Sequence, residues 1–328
     1  MTRVKRAILF ALVLLLFSGC GTPALTPAAD TALATATPAA EAPEDVTFEL
    51  AAPEKTAAPA PTAPPTPEPT ASPVPTPEPK ITADWYRARS ENIARLLVEN
   101  EFCKSVDEAN ARVQKMEIDP DKPMVALTFD DGPTHGVTDT VLDVLEKYNA
   151  RATFFVVGSR IAGSEDLLKR AVSLGCEIGS HTFNHDTLTE LSTERAVKSL
   201  TDTRDAVRAA CGYEVLSLRP PKGESNDNVK AIARQENYAL IFWNHSTHDY
   251  RLDSAKKIAS YVQFDKEDNK AIADGDIILL HDLRKPTAEA MEEIVKQLTD
   301  EGYQLVTVQE LLNLSDGGFS TGKSYKKQ

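Results

Sequence analysis

Two histidines, His181 and His185, stand four positions apart just after a segment of strand length. This spacing lets two imidazoles converge on one metal ion, with a carboxylate as third protein ligand and one position left open for water or substrate. The adjacent acids Asp130 and Asp131 follow another such segment and could supply that carboxylate. The alternative is an acidic turn or helix cap before Thr134. Residue types and spacing together predict a divalent metal site.

Other ionisable residues also follow segments of strand length, among them Arg219, Asp249 and His281. His281 comes directly after the apolar segment Ile277–Leu280. An imidazole there could transfer a proton to or from a substrate; the alternative is a buried core histidine. For Arg219 the alternative is a structural ion pair. Ionisable groups at the ends of five strands are difficult to explain as solvated loop charge, so the pattern indicates an active site.

The elements that must position these residues alternate along the chain. Apolar runs predict strands at Met124–Phe129, Ala152–Val157, Glu177–His181, Val215–Arg219, Tyr238–Trp243, Asp276–His281 and Tyr303–Val308. Amphipathic patterns predict helices at Val137–Tyr148, Asp166–Leu174, Thr193–Ala210, Asp227–Gln235, Ser254–Phe264 and Thr287–Asp300. Strands joined by helices indicate a parallel α/β sheet. Because the candidate residues end different strands, a barrel or near-barrel fits better than an open sheet.

From about Pro123 to Leu314 the chain resembles the polysaccharide deacetylases of carbohydrate esterase family 4, the NodB homology domain. The motifs that carry the resemblance, in the family's order and spacing, are Thr128–Pro133, Ser180–His185, Arg219–Gly223 and Leu279–Asp282. The resemblance implies a distorted (β/α)7 barrel. It also implies metal-dependent removal of acetyl groups from N-acetylated sugars.

The resemblance implies a role for each matching residue. Asp131, His181 and His185 would bind a divalent metal, zinc first, with cobalt or another divalent ion as alternatives. Asp130 would be the general base that takes a proton from water, and Arg219 would pair with it and keep it ionised.

His281 would be the general acid for the departing amine, and Asp249 would tether it and favour its imidazolium form. The residues expected to bind substrate are Pro221, Lys222, Trp243 and Leu279. Family members commonly carry an aromatic residue at Lys222, where the backbone N–H helps to hold the oxyanion. Ser246 and Tyr250 also depart from the common acid and tryptophan. These departures are similar to the branch that acts on N-acetylmuramic acid, where Lys222 could meet a lactyl or peptide carboxylate.

The first residues have the pattern of a targeting segment. Arg3, Lys5 and Arg6 precede the apolar run Ala7–Phe17, which is too short to span a bilayer comfortably, and small residues lead to Cys20. We expect a lipoprotein signal peptide over residues 1–19 and a lipid on Cys20. The alternative is an ordinary secretory signal. Either one places the protein outside the cytoplasm.

The remaining composition divides the chain. Fifteen of 21 prolines precede residue 80, and such a segment cannot bury enough apolar surface to offset ordering entropy. We therefore expect a disordered Pro/Thr/Ala-rich stalk at 20–80. A small helical extension at 81–119, the catalytic domain at 120–315 and a flexible tail at 316–328 follow. In an exported protein Cys176 and Cys211 could form a disulfide, or stay as small buried hydrophobes.

The formal net charge is −13, and Lys/Arg-rich runs occur only in the first and last six residues. We therefore expect no nucleic-acid partner, because neutralising phosphates needs clustered basic side chains. The expected partners are a cell-wall polysaccharide and, through the lipid, the cell membrane. We expect a monomer.

The leading functional hypothesis is N-deacetylation of peptidoglycan N-acetylglucosamine. Alternatives in the same chemistry are N-acetylmuramic acid, chitooligosaccharides and acetylated xylan. An alternative of another class is a non-catalytic glycan-binding lipoprotein. The intact set of base, metal-ligand and acid candidates argues against it, since a binding protein would not need a base, a metal and an acid together.

Overall fold

A parallel sheet with helices packed on its outer face makes up most of the described structure. This computed structural model describes residues 83–314 and 318–325. The strands are β1 (Met124–Asp130), β2 (Thr153–Val156), β3 (Glu177–Ser180), β4 (Ser217–Leu218), β5 (Ala239–Ile241), β6 (His245–Ser246), β7 (Phe264–Asp265), β8 (Lys270–Ala271), β9 (Asp276–His281), β10 (Gln304–Leu305) and β11 (Ser324–Tyr325). The helices are α1 (Ala83–Glu99), α2 (Val106–Gln114), α3 (Thr138–Lys147), α4 (Glu165–Ser173), α5 (Thr193–Cys211), α6 (Asp227–Gln235), α7 (Ala255–Gln263), α8 (Lys285–Asp300) and α9 (Val308–Leu314). The predicted signal peptide, lipid anchor and stalk lie outside the described residues.

The main sheet has the strand order β11-β5-β4-β3-β2-β1-β9-β6, and β10 also pairs with the start of β1. Every pair in this sheet is parallel, so the carboxyl ends of its strands share one edge. The sheet curls into a partial barrel whose ends, within the described residues, are β11 and β6. The prediction of a distorted α/β barrel is confirmed, and the predicted strands and helices are present with ends shifted by a few residues.

Strand β1 shows how the sequence places a polar residue inside the barrel. All of its residues are buried, as expected for a parallel strand covered on both faces. Leu127 and Phe129 pack in the core cluster that contains the helix residues, while Ala126 packs with residues of the barrel interior. Because side chains alternate along a strand, Thr128 and Asp130 share the interior face with Ala126. Asp130 therefore ends the strand at the mouth of the barrel.

Helices α1 and α2 form a small core of their own and are attached to the barrel. Ser105 caps α2 by accepting a hydrogen bond from the backbone N–H of Glu108. Arg89 of α1 pairs with Glu310, which also accepts from the buried Arg151 at 3.0 Å. The residues of the small core are Ile93, Ala94, Leu97, Cys103, Ala109, Val113 and Met116.

The described part of the C-terminal segment, residues 318–325, lies against the sheet, and the flexibility expected for residues 316–328 stays a prediction. Strand β11 pairs with β5. The N–H of Leu240 donates to the carbonyl of Lys323 at 2.8 Å, and the N–H of Phe242 donates to the carbonyl of Tyr325 at 2.9 Å. The tail is rich in Gly, Ser and Lys, but its two aromatic residues, Phe319 and Tyr325, pack against the apolar cluster that contains Ala126. The tail covers an edge of β5 that would otherwise expose unpaired backbone groups.

The sequence does not predict β6 or the antiparallel pair β7–β8, since each of these strands has two residues and none lies in an apolar run of strand length. Cys176 and Cys211 are separate buried thiols rather than a disulfide, and burial raises the pKa of Cys176 to about 12.

Within residues 83–314 and 318–325, no helix is long and apolar enough to cross a membrane.

Candidate active site

The carboxyl edge of the sheet brings the predicted residues together. Asp130 ends β1 and has His281, the last residue of β9, as its register partner. His181 follows β3 and Arg219 follows β4, while Asp249 lies just beyond β6. Strand pairing therefore sets this convergence, which sequence spacing could only suggest.

Asp131, His181 and His185, called here the metal group, could hold a metal ion. Oδ1 of Asp131 lies 3.4 Å from Nε2 of His181 and 3.3 Å from Nε2 of His185. Asp131 and His185 have φ angles of 75° and 60°, in the left-handed region that non-glycine residues adopt at a cost in free energy. Such strained residues concentrate at functional sites.

The surroundings of the metal group suit a cation. Oδ1 of Asp131 is buried and has no hydrogen-bond partner among the described residues. An unpaired buried oxygen costs free energy unless another group, such as a cation, binds it. Nδ1 of His181 lies 2.7 Å from the carbonyl of Arg219, so Nδ1 carries the proton and Nε2 keeps its lone pair. Burial lowers the pKa of His181, against the opposing effect of Asp130 and Asp131, and so favours the neutral imidazole that a metal requires. Two nitrogens and one oxygen form a donor set typical of zinc.

Asp130 forms a buried ion pair on one side and faces the metal group on the other. Nη1 of the fully buried Arg219 donates to Oδ1 of Asp130 at 2.8 Å and to Oγ1 of Thr128 at 2.7 Å. The guanidinium carbon lies 4.2 Å from the centre of the Phe155 ring. Burial lowers the pKa of Arg219, and the Asp130 carboxylate opposes this effect. Oδ2 of Asp130 lies 3.8 Å from Nε2 of His181, where it could accept a proton from a nearby water.

His281 and Asp249 form the second charged pair. Nδ1 of His281 lies 2.8 Å from Oδ1 of Asp249, and the backbone N–H of His281 donates to Oδ2 at 2.7 Å. Burial lowers the pKa of His281, but the hydrogen bond and charge of Asp249 outweigh it, with Asp130 and Asp131 adding to the effect, and raise the pKa to about 9. The imidazole therefore carries a proton at neutral pH. Since Nδ1 is engaged, Nε2 is the nitrogen that could give a proton to substrate.

The predicted substrate-binding residues occupy the same edge. Pro221 is buried, and Lys222 is exposed with a φ angle of 60°. The ring of Trp243 lies 5.6 Å from the Arg219 guanidinium. Leu279 is buried two residues before His281 and so shares its side of β9.

Sequence reasoning gave no role to Asp282, whose carboxylate lies against the turn that carries Asp131. Its Oδ2 accepts a hydrogen bond from Oγ1 of Thr138 at 2.6 Å, and a Cβ atom on Gly132 would collide with this carboxylate. Burial raises the pKa of Asp282 to about 7, while hydrogen bonds from Thr138 and from backbone N–H groups lower it. An acid directly after a buried strand was the available signal. Gly132 is needed because the carboxylate lies against its backbone.

Comparisons with known proteins show which proteins this chain is similar to. A family model described as polysaccharide deacetylase matches residues 117–241. The peptidoglycan-N-acetylmuramic acid deacetylase PdaC of Bacillus subtilis is 40% identical over 194 residues, which cover 59% of this chain and 40% of PdaC. The chain thus spans well under half the length of that relative. A solved structure of PdaC is similar with a TM-score of 0.56 and 40% identity, covering 60% of this chain and 93% of that one.

Two further relatives show which family the chain belongs to and whether the fold alone establishes an activity. A peptidoglycan-N-acetylglucosamine deacetylase of Bacillus cereus is 35% identical over 201 residues, covering 60% of this chain and 91% of the relative. A solved structure from Bacillus anthracis, described as a pseudoenzyme of the CE4 family, is 25% identical with a TM-score of 0.54, covering 64% of this chain and 71% of that one. The fold thus occurs in a pseudoenzyme, so function has to be inferred from individual residues. The match over nearly the whole Bacillus cereus relative shows that the chain belongs to the polysaccharide deacetylase family.

Proposed function

We propose that this chain hydrolyses N-acetyl groups on amino sugars of a cell-wall polysaccharide, with peptidoglycan N-acetylglucosamine as the first candidate. The observation that carries the proposal is the meeting of three units at one edge of the sheet: the Asp130–Arg219 pair, the metal group and the Asp249–His281 pair. Amide hydrolysis needs a proton acceptor for water, stabilisation of charge on the acetyl oxygen and a proton donor for the amine. Each unit supports one of these needs.

In the first half of the proposed reaction, Asp130 accepts a proton from the water that attacks the acetyl carbonyl carbon. A divalent ion in the metal group would polarise that carbonyl and make the water more acidic. The 2.8 Å hydrogen bond from Arg219 holds the carboxylate so that its second oxygen faces the reacting atoms. The backbone N–H of Lys222 would stabilise the negative charge that develops on the acetyl oxygen.

In the second half, His281 gives the proton on Nε2 to the amide nitrogen as the carbon–nitrogen bond breaks. The products are acetate and a free amino sugar. Asp249 holds the ring through Nδ1 at 2.8 Å and stabilises the imidazolium before transfer.

A second candidate substrate is N-acetylmuramic acid. The exposed ammonium group of Lys222 favours it, because a lactyl or peptide carboxylate could pair with that charge. PdaC, the relative that is 40% identical, is named as a peptidoglycan-N-acetylmuramic acid deacetylase. Chitooligosaccharides and acetylated xylan remain alternatives in the same chemistry. A non-catalytic glycan-binding role does not explain the paired acid and base candidates, because binding a glycan requires no proton transfer.

The substrate is tested by acetate release from purified peptidoglycan, chitooligosaccharide and acetylxylan side by side. We expect the largest kcat/KM on peptidoglycan, with the new amine on glucosamine after acid hydrolysis of the product. New amine on muramic acid would support the second candidate, and Lys222→Gln should then lower kcat/KM on that sugar. Faster turnover of chitooligosaccharide or acetylxylan would contradict the peptidoglycan assignment.

We further propose that the protein works outside the cytoplasm, anchored by a lipid on Cys20, as a monomer. The charged start, the short apolar run and the small residues before Cys20 support the export and the lipid anchor. The Pro-rich residues 20–80 would act as a semi-rigid spacer between the lipid and the catalytic domain at 120–315. The helical extension at 81–119 would belong to the same folded unit as that domain.

Replacing Cys20 with alanine should release the protein from the membrane fraction, because an acyl chain supplies the apolar binding. Fractionation followed by mass spectrometry of the mature N-terminus measures the change. Cys103→Ala, which alters a buried thiol of the helical extension, is the matched control and should stay with the membrane. A mature wild-type chain that begins at another residue and carries no lipid would contradict the anchor.

A further inference from the structure

We propose that Arg284 is a positioning residue that fixes the backbone carrying Asp249 and thereby sets the orientation of His281. The inference rests on the proposed function, since it takes His281 as the proton donor. It goes further by assigning a role to a residue that touches neither the metal group nor His281 in any described contact.

One guanidinium holds most of the loop that follows β6. Nη1 of Arg284 lies 2.9 Å from the carbonyl oxygen of Asp249, 2.9 Å from that of Tyr250 and 3.2 Å from that of Leu252. Nη2 pairs with the side chain of Asp253. A planar guanidinium can share its N–H groups among several acceptors, whereas a lysine ammonium on a flexible stem does not reproduce this geometry. The loop 249–252 is therefore fixed through its backbone.

The carboxylate of Asp249 is held by the same stretch of chain. Oγ1 of Thr287 and the backbone N–H of His281 both donate to Oδ2 of Asp249, at 2.8 Å and 2.7 Å. Arg284 lies between these two donors in sequence, at the start of α8. Segment 281–287 thus binds both the backbone and the side chain of Asp249. A shift of the loop would alter the 2.8 Å contact between Oδ1 of Asp249 and Nδ1 of His281.

The same bonds place an aromatic side chain beside the proton donor. Tyr250 is 56% exposed, and its ring lies 6.0 Å from the His281 ring at an angle of 74°. The hydrogen bond from Arg284 to the Tyr250 carbonyl therefore holds the backbone that carries this ring, at the edge where a sugar would bind.

The loop is also attached on its other side, so losing Arg284 should loosen it rather than detach it. Nε2 of His248 lies 3.3 Å from Oδ1 of Asp265, and Arg251 pairs with Glu267. Both acids belong to the hairpin of β7 and β8. We therefore expect removal of Arg284 to affect turnover more than folding.

The test uses the full chain with Arg284→Gln, Arg284→Lys and the control Lys285→Gln, which removes a charge from the exposed neighbouring residue. Each change is made in wild type and in Asp249→Asn. Acetate release from soluble peptidoglycan fragments gives kcat, KM and the pH–rate profile, and metal content and thermal unfolding are measured alongside. The carboxylates that act on His281 in wild type are those of Asp249, Asp130 and Asp131.

We expect Arg284→Gln to lower kcat roughly 10- to 100-fold, the size of effect that a small misplacement of a catalytic group produces. The alkaline limb of the pH–rate profile should move to lower pH, and metal content should not change. Arg284→Lys should recover part of the loss, and Lys285→Gln should match wild type. In the Asp249→Asn background Arg284→Gln should add little, because both changes act on one contact.

Wild-type kcat and pH profile in Arg284→Gln would overturn the inference, as would losses that multiply fully in the double variant. If Arg284→Gln fails to fold, Arg284→Lys decides by the same readouts. If Asp249→Asn loses turnover while Arg284→Gln keeps it, the Arg284 inference is rejected and the proposed function is not. Full turnover in Asp249→Asn, or no acetate from wild type, rejects the proposed function and this inference with it.

Discussion

Replacing His181 with alanine should leave a folded protein that contains no bound metal, and acetate release should fall by about 10³-fold or more. The change removes one of three ligand atoms that lie within 4.8 Å of one another, leaving only Asp131 and His185. Carbonyl polarisation by a metal is worth several kcal/mol, and each ~1.4 kcal/mol is a tenfold change in rate. Metal stoichiometry by elemental analysis, measured beside kcat, checks this expectation independently of activity.

Two controls accompany this prediction. Chelation of the wild-type protein should abolish turnover, and zinc or cobalt should restore it. His135→Ala alters an exposed histidine outside the metal group and should keep the full metal content. Metal retained by His181→Ala, or full wild-type activity in excess chelator, would contradict the assignment of these ligands.

Replacing His281 with alanine should lower turnover by about 10²–10⁴-fold, the usual contribution of a general acid. The metal content should stay the same, because His281 is not part of the metal group. This pairing of readouts distinguishes a proton donor from a fourth ligand. A His281→Ala protein that has lost its metal would show that His281 is a metal ligand and not the proton donor.

The pH dependence of the rate gives a second test of His281. With its pKa raised to about 9, His281 should be protonated and active as a donor below that pH and should lose this activity above it. Removing the charge of Asp249 lowers the pKa of His281 toward its ordinary ~6.5, so the alkaline limb of Asp249→Asn should move to lower pH. Profiles of wild type, Asp249→Asn and His281→Ala make the comparison. An alkaline limb that survives unchanged in His281→Ala belongs to another group, such as the attacking water.

Sequence was sufficient to predict the main strands and helices in their order, with ends that differ by a few residues. Apolar runs such as the one before Asp130 specify buried parallel strands, and the rule that such strands end at a common edge predicts that Asp130 and His281 meet. The roles of Arg219 and Asp249 came from the family resemblance. Their observed contacts, 2.8 Å from Arg219 to Asp130 and 2.8 Å from Asp249 to His281, agree with the pairs that the resemblance implied.

Features that depend on backbone pairing or on burial could not be predicted in this way. Strand β11 lies in a mostly polar tail, and its position depends on the open edge of β5 and on an apolar cluster, both formed by distant parts of the chain. Asp282 has the residue type of a surface acid, and its burial beneath Gly132 becomes visible only in three dimensions. The three carbonyl groups around Arg284 carry no sequence signal at all, because every residue has one. Neither the signal peptide nor the stalk falls within the described residues, and both stay predictions.

We propose that Asp130 activates the water that removes acetyl groups from peptidoglycan. The most direct measurement is the acetate and the new amino groups released from purified peptidoglycan by wild type and by Asp130→Asn, with metal content determined for both. We predict equal amounts of acetate and amine from wild type, and a rate about 10²–10⁴-fold lower for an Asp130→Asn protein that keeps its metal. No acetate from metal-loaded wild type would contradict the proposed function, and equal rates for the two proteins would contradict the role of Asp130.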